Sequence, residues 1–527
     1  MSIFASESSQ NTDVQGQLKY TTIAGLESLR MKPLGTITMC FPYVDEDTKT
    51  TLQSIMEEAE NYADFTERLA KLVLSETVSP LLEYLAVFFL FRIRNYQLIE
   101  KLEDARKVPS MAEPLLLAIW AQRGQRVGWE EMRTSLLSAI NDTPNDWIAT
   151  QLYLNWRLWI EHIYTETDVD VKPIEIITSN VNSNEELECF KSNLFVLEAY
   201  VLRRERKRSD GLILLREALT IARKFDDQVM VAEIQVVIVT RIKHTDLKSA
   251  IDLLNTTKEL CVQLGYSVLI GSILFELGHI MTFRGEIYAG IDYHIECNSI
   301  RESLDLPTEF GKSLIAFFYN QIGDGERALE FAKKGLESTF TLQRRSAFPF
   351  IQVAWALINL DRCDEAKVEF AIAQELALKS GEFPQLTHCR IVEGILDKTE
   401  NNLGAAIACF EEVLRSIEDN PTPVYENICL LNLTEIEIEM LDEDTLEGRT
   451  DLSGPWMQKL FEHSETKDLP GIAARAKILQ ASLLQKQKRY DDMRKLLNDV
   501  RNIADQYPSM SYLIGIINAT FPDLITK

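Results

Sequence analysis

The sequence predicts an all-α protein, an α-solenoid of antiparallel helix hairpins, and three observations carry that expectation. First, a small residue opens a helix at Gly211, Ala250, Gly290, Ala328, Ala366 and Ala406, with gaps of 39, 40, 38, 38 and 40 residues. A repeat of that length held over six units marks stacked supersecondary structures and not one globular core. Second, the position twelve residues earlier is occupied by Ala199, Ile238, Gly278, Ala316, Ala354 and Gly394. Five of these six are Ala or Gly, the residues that let two helix backbones cross closely. Third, the position five residues before each opening residue holds Arg206, Thr245, Gly285, Gly323, Asp361 and Asn401. Gly, Asp and Asn end one helix and start the next, and Arg206 departs from that type.

The register extends along the second helix of each unit. Four positions after the opening residue come Leu215, Leu254, His294, Ala332, Phe370 and Phe410, on the same helical face. Seven positions after it come Ala218, Thr257, Cys297, Gly335, Ala373 and Val413, mostly small. Segments 277–278, 323–332 and 406–410 resemble tetratricopeptide repeats, with a period near 39 in place of the usual 34. The longer unit is similar to the sensor solenoid of the maltose-regulon activator family. The resemblance implies a right-handed superhelix over about 190–415, and it speaks of fold more than of function.

The same spacing divides the chain. Residues 1–19 are expected to form a disordered tail, and 20–80 an N-terminal cap containing helices and the strand-like run 36–44. Residues 81–186 read as degenerate helical repeats interrupted by an irregular insertion at 165–186. Well-defined repeats follow over 187–415, then degenerate ones over 416–527 with an acidic loop at 442–470. The apolar runs 81–91 and 266–283 read as buried helices, because one is too short for a bilayer and the other carries Glu276 and His279.

Composition narrows the partner class. The formal net charge of −25 repels phosphate backbones, so neither nucleic acid nor membrane is expected as a partner. Such charge favours solubility and cationic partners. The eight cysteines are spread through apolar helical patterns, the usage of buried thiols in a reducing compartment. The polar, Ser/Gln-rich start does not read as a signal peptide, and a cytoplasmic location is expected.

No phosphate-binding glycine loop, zinc-protease helix, nucleophile elbow or Cys-x-x-Cys pair occurs. We therefore expect no enzyme, cofactor or metal. His294 and Cys297 occupy packing positions, and His388 and Cys389 point to different faces of a helix. Asp45, Glu46 and Asp47 read as a helix N-terminus. Trp147, Tyr153, Trp156 and Trp159 read as core packing, and the basic run 203–208 as a solvated helix end.

Tetratricopeptide arrays bind in the concave groove lined by their first helices, so the resemblance implies groove positions here. They are Tyr200, Arg203 and Arg204, then Lys243, His279 and Phe283, then Phe317, Asn320 and Gln321, and finally Trp355 and Asn359. This mixture of aromatics, amides and cations suits an extended peptide or a helix of another protein. The Lys/Asn/Asn/Lys/Arg set that clamps chaperone tails in such arrays is not found. The expected function is a protein-interaction scaffold or adaptor. The alternative is a ligand-responsive regulatory module acting through a partner, and more remotely an enzyme without a recognisable motif.

Overall fold

The structure, a computed structural model, describes residues 44–109, 129–142, 172–204, 208–341, 346–418, 422–441 and 454–522 except 184, 305 and 307, with 112, 116, 154 and 155. Among these, secondary structure is helical throughout. The strand-like run expected at 36–44 and the tail at 1–19 lie outside the described residues, save Val44, and so do the tryptophans at 147, 156 and 159.

Four helices open the described chain: α1 (Glu46–Glu58), α2 (Tyr62–Ser75), α3 (Pro80–Arg92) and α4 (Tyr96–Asp104). Each starts where its cap residue dictates. Asp45 accepts from the Thr48 amide at 2.7 Å, a bond that holds its carboxyl below the ordinary range, so this acidic triplet is the α1 N-terminus. Asn61, Ser79 and Asn95 cap the next three in the same way. Helices α5 (Trp129–Asp142) and α6 (Lys172–Ser183) follow. Residues 172–183 had been placed in the irregular insertion. They form α6 because Ile174, Ile177 and Val181 recur at helical spacing and are buried, which outweighs the polar residues between them.

The repeats are α7 (Lys191–Arg204) with α8 (Arg208–Lys224), α9 (Gln228–Ile242) with α10 (Leu247–Leu264), and α11 (Ser267–Arg284) with α12 (Ile287–Ser303). Next come α13 (Glu309–Gln321) with α14 (Gly325–Thr341), α15 (Ala347–Asn359) with α16 (Cys363–Ser380), and α17 (Phe383–Thr399) with α18 (Leu403–Ser416). Each helix packs on its hairpin partner and on the next hairpin. The C-terminal part holds α19 (Pro423–Glu439), α20 (Pro455–Thr466), α21 (Pro470–Lys486), α22 (Tyr490–Gln506) and α23 (Tyr512–Thr520). Residues 455–466, read as acidic loop, form α20 because Pro455 presets its first turn while Met457 and Leu460 reach the core.

The small residues of the register do what close crossing requires. Ala250, Ala328, Ala366 and Ala406 are fully buried, as are Ala199, Ala316 and Ala354. A Cβ on Gly278 would lie 2.6 Å from the His294 ring, and one on Gly394 3.0 Å from Phe410. The turn positions Gly285, Gly323, Asp361 and Asn401 have φ between 58° and 78°, the left-handed conformation that ends a helix. Helix α11 is long and apolar enough to cross a membrane by composition, but most of it is buried between neighbouring helices.

The array also curls onto itself. The turn after α11 meets helices of the C-terminal part, four to six hairpins later. Asn427 of α19 donates to the Phe283 carbonyl at 3.1 Å, and Tyr512 of α23 donates to the Gly285 carbonyl at 2.9 Å. Arg284 pairs with Asp468 at 2.9 Å, and Ser509 donates to Glu286 at 3.2 Å. Gly285 and Gly471 pass backbone to backbone, so a Cβ on Gly471 would sit 2.4 Å from the Gly285 carbonyl oxygen. Leu247, at the start of α10, packs on the apolar cluster of Leu430, Leu460, Leu469 and Ile472. A second closure joins the N-terminal helices to the array, where the buried Arg92 pairs with the buried Asp227 at 3.4 Å.

Candidate interaction surface

The first helices of successive hairpins lie side by side, α11 to α13 to α15 to α17 to α19, and their facing side chains form two layers. Towards the N-terminal ends of these helices the layer is aromatic. Phe275, Phe310, Phe348, His388 and Tyr425 follow one another, one from each helix, with ring centroids 6.1, 5.5, 5.0 and 5.0 Å apart. The spacing and tilted or edge-on angles are those of attractive ring pairs. Phe317 sits behind this row, 5.2 Å from His388 and 5.7 Å from Trp355. Phe310 is 51% exposed, so the row runs from solvent into the core.

Towards the C-terminal ends the layer is built of carboxamides and charges. Asn320 donates to the Gln352 carbonyl at 3.0 Å and to its Oε1 at 3.2 Å, and Asn359 donates to the Asn320 carbonyl at 3.1 Å. Lys398 bonds both Asn432 and Glu435 at 2.6 Å, and Arg475 donates to the Gln321 carbonyl at 3.3 Å. The Nε2 donors of Gln321 and Gln352 are buried and have no hydrogen-bond partner among the described residues. A buried donor left unpaired costs free energy that an incoming acceptor would return.

Most of the described positions picked from the register are out of solvent. Phe283, Phe317, Asn320 and Trp355 are buried, as is Tyr200 under the Arg241 guanidinium. They were expected on an open groove. They are interior because side chains of neighbouring helices pack on them: Phe317 against Phe348, Trp355 and His388, Asn320 against Gln352 and Asn359, and Tyr200 against Arg241. Lys243 is satisfied within the chain by Glu276 at 2.7 Å. His279 stacks on Phe275 at 4.6 Å, and burial, with help from Lys243, holds its imidazole well below the ordinary value. Gln321 and Asn359 are half-buried. The side chains of Arg203 and Arg204 lie outside the described residues. Sequence reasoning omitted Gln352, His388, Tyr425, Lys398 and Arg475. Gln352 stands three residues before Trp355, on the same face of α15, and that spacing was the available signal.

His294 is fully buried over Gly278 beside the buried Cys297. No group of three or more His, Cys, Asp or Glu is placed to hold a metal among the described residues. The described cysteines are unpaired, and burial raises the thiols of Cys189, Cys261, Cys297, Cys389, Cys409 and Cys429.

These buried imidazoles set an acid limit on the fold. Burial holds His294 down to about 3 and His388 and His463 down to about 4. The unfolded chain binds protons on all three near pH 6.5, whereas the folded one does not, so their contribution is whole above pH 6.5 and is lost as pH falls towards 4. We expect the unfolding free energy measured in urea to drop between pH 7 and pH 5 by an amount approaching about 1.4 kcal/mol per pH unit per histidine. Replacing His388 by Gln should flatten that slope, and an unchanged slope would show that carboxylates set it instead.

No family model matches the chain, and no curated protein sequence matches it. Several solved structures are similar. A Rap protein complexed with competence and sporulation factor shares 15% identity over 68% of this chain and 99% of that one, with a TM-score of 0.46. A signal-transduction ATPase with a tetratricopeptide repeat sensor from Pyrococcus horikoshii shares 15% over 73% and 56%, with a TM-score of 0.41. Yeast Tom70 shares 12% over 83% and 96%, with a TM-score of 0.32. The fold itself, read from its own hairpins, is a tetratricopeptide-like α-solenoid.

Proposed function

We propose that this chain is an interaction scaffold that takes a peptide, or an extended segment of a protein, against its row of first helices. The observation that carries the reading is the pair of unpartnered carboxamide donors, Gln321 and Gln352, on adjacent helices beside the aromatic row. Donors of that kind suit main-chain carbonyls, which every peptide carries. The rings next to them suit an apolar side chain of the same segment. With a formal charge of −25 on the scaffold, the segment is cationic or neutral overall.

The test is selection from a displayed random peptide library against the full chain, followed by affinity measurements on variants. Gln321→Ala alters a half-buried side chain whose donor lacks a partner. We expect it to weaken selected peptides about tenfold, the scale of a central contact, with the unfolding midpoint nearly unchanged. Peptides that bind Q321A and the parent equally would place the site elsewhere.

A further inference from the structure

The contact between the α11 turn and the C-terminal helices has the features of a device that opens. We propose that it is an intramolecular latch: while the turn at 283–286 is docked on α19, α21 and α23, the Gln321 end of the row of first helices is held under α21, and undocking frees it. This rests on the reading of that row as the partner surface and adds its regulation.

Three observations carry the latch. The first is its chemistry. The Phe283 carbonyl belongs to the last turn of α11, which leaves it without an intrahelical partner, and Asn427 satisfies it from α19. Water can replace that donor, and it can replace the Tyr512 hydroxyl on the Gly285 carbonyl. Asn427 is in turn fixed by His463, whose Nε2 lies 2.8 Å from the Asn427 Oδ1. The ion pair between Arg284 and Asp468 lies at the rim, with the Asp468 side chain 83% exposed, so it holds weakly.

The second observation is the shape of the contact. Gly285 and Gly471 meet with no side chain between them. Gly285 has a local reason to be glycine in its φ of 78°, but Gly471 lies in the first turn of α21 without a left-handed backbone, where alanine would suit the helix better. A glycine at that place fits the close approach and nothing local. The third is the consequence for the covered surface. Arg475, in the next turn of α21, donates to the carbonyl of Gln321, so release of α21 frees the residue that carries an unpaired donor.

The experiment is Gly471→Ala in the full chain. Alanine keeps α21 helical but cannot pass the Gly285 backbone. We expect an unchanged far-ultraviolet dichroism and a larger radius of gyration by X-ray scattering. Amides in 468–475 and along α13 should exchange about tenfold faster or more. Fluorescence of 8-anilinonaphthalene-1-sulfonate should rise as the apolar contact of Leu247 with Leu430, Leu469 and Ile472 opens. A folded G471A of unchanged dimensions and exchange overturns the latch. If G471A does not fold, the pair Asn427→Ala with Tyr512→Phe, which removes two hydrogen bonds and adds no bulk, carries the same expectations and the same refutation. Selected peptides should bind the opened variant more tightly. An expanded chain that binds them no better leaves the scaffold reading standing and refutes the latch. If no peptide is selected by either form, the scaffold reading fails, and dye uptake alone decides the latch.

Discussion

Replacing Asp227 by Asn will cost about 3–5 kcal/mol of unfolding free energy, the scale found when one partner of a buried ion pair is removed. Arg92 and Asp227 come from parts of the chain 135 residues apart, and both side chains are almost wholly buried. The guanidinium would remain inside without this carboxylate. Asn is as good a helix cap as Asp, so the bond from the Met230 amide to residue 227 survives in this variant. The loss therefore isolates the charge. Asp227→Ala should lose roughly a further 1 kcal/mol with the cap. Glu233 lies close by, with its carboxyl raised by burial and Oε1 bonded to Tyr266 at 2.7 Å. A loss below about 1 kcal/mol in urea would mean that Glu233 ionises and takes over the guanidinium.

Phe410→Ala should cost about 3–5 kcal/mol, and the loss should be local. The side chain is fully buried and its ring lies against Gly394, the small residue at the crossing of α17 and α18. Each hairpin rests chiefly on its neighbours and only through single residues, such as Leu247 and Leu414, on the shared C-terminal cluster, so hydrogen exchange should quicken most over 383–416 and much less over 228–264. Phe410→Leu should lose much less, since it keeps most of the volume. Uniform loss of protection along the chain would show that closure makes the molecule one cooperative unit.

The hairpins were legible because each is specified locally. A left-handed turn has few hosts, so Gly285, Gly323, Asp361 and Asn401 announce themselves. A close crossing has few hosts as well, hence the alanines at 250, 328, 366 and 406. The helices at 172–183 and 455–466 were hidden by polar composition, and the apolar spacing within each was the stronger signal. The self-contact had no such signal. Gly285 and Gly471 stand 186 positions apart, and no periodicity links them. Phe317, Asn320 and Trp355 were expected in the open, and they are buried against the neighbouring first helices. The register shows which side of a helix a residue occupies, and curvature, which sums many small rotations between hairpins, decides whether that side meets water.

The carbonyl of Gly285 waits for a hydroxyl 227 residues further along the chain. A ribosome adding about 5–20 residues per second needs roughly 10–45 s to cover that interval. For that time the nascent array has its hairpins and lacks its clasp, and the turn after α11 and the carbonyl of Gln321 are open to a partner already present. Proteins with such distant pairings also fold slowly, because the entropy of closing the loop is spent before the contact forms. The order of synthesis thus gives every new copy one interval in which its surface is open by default, before it has ever been shut.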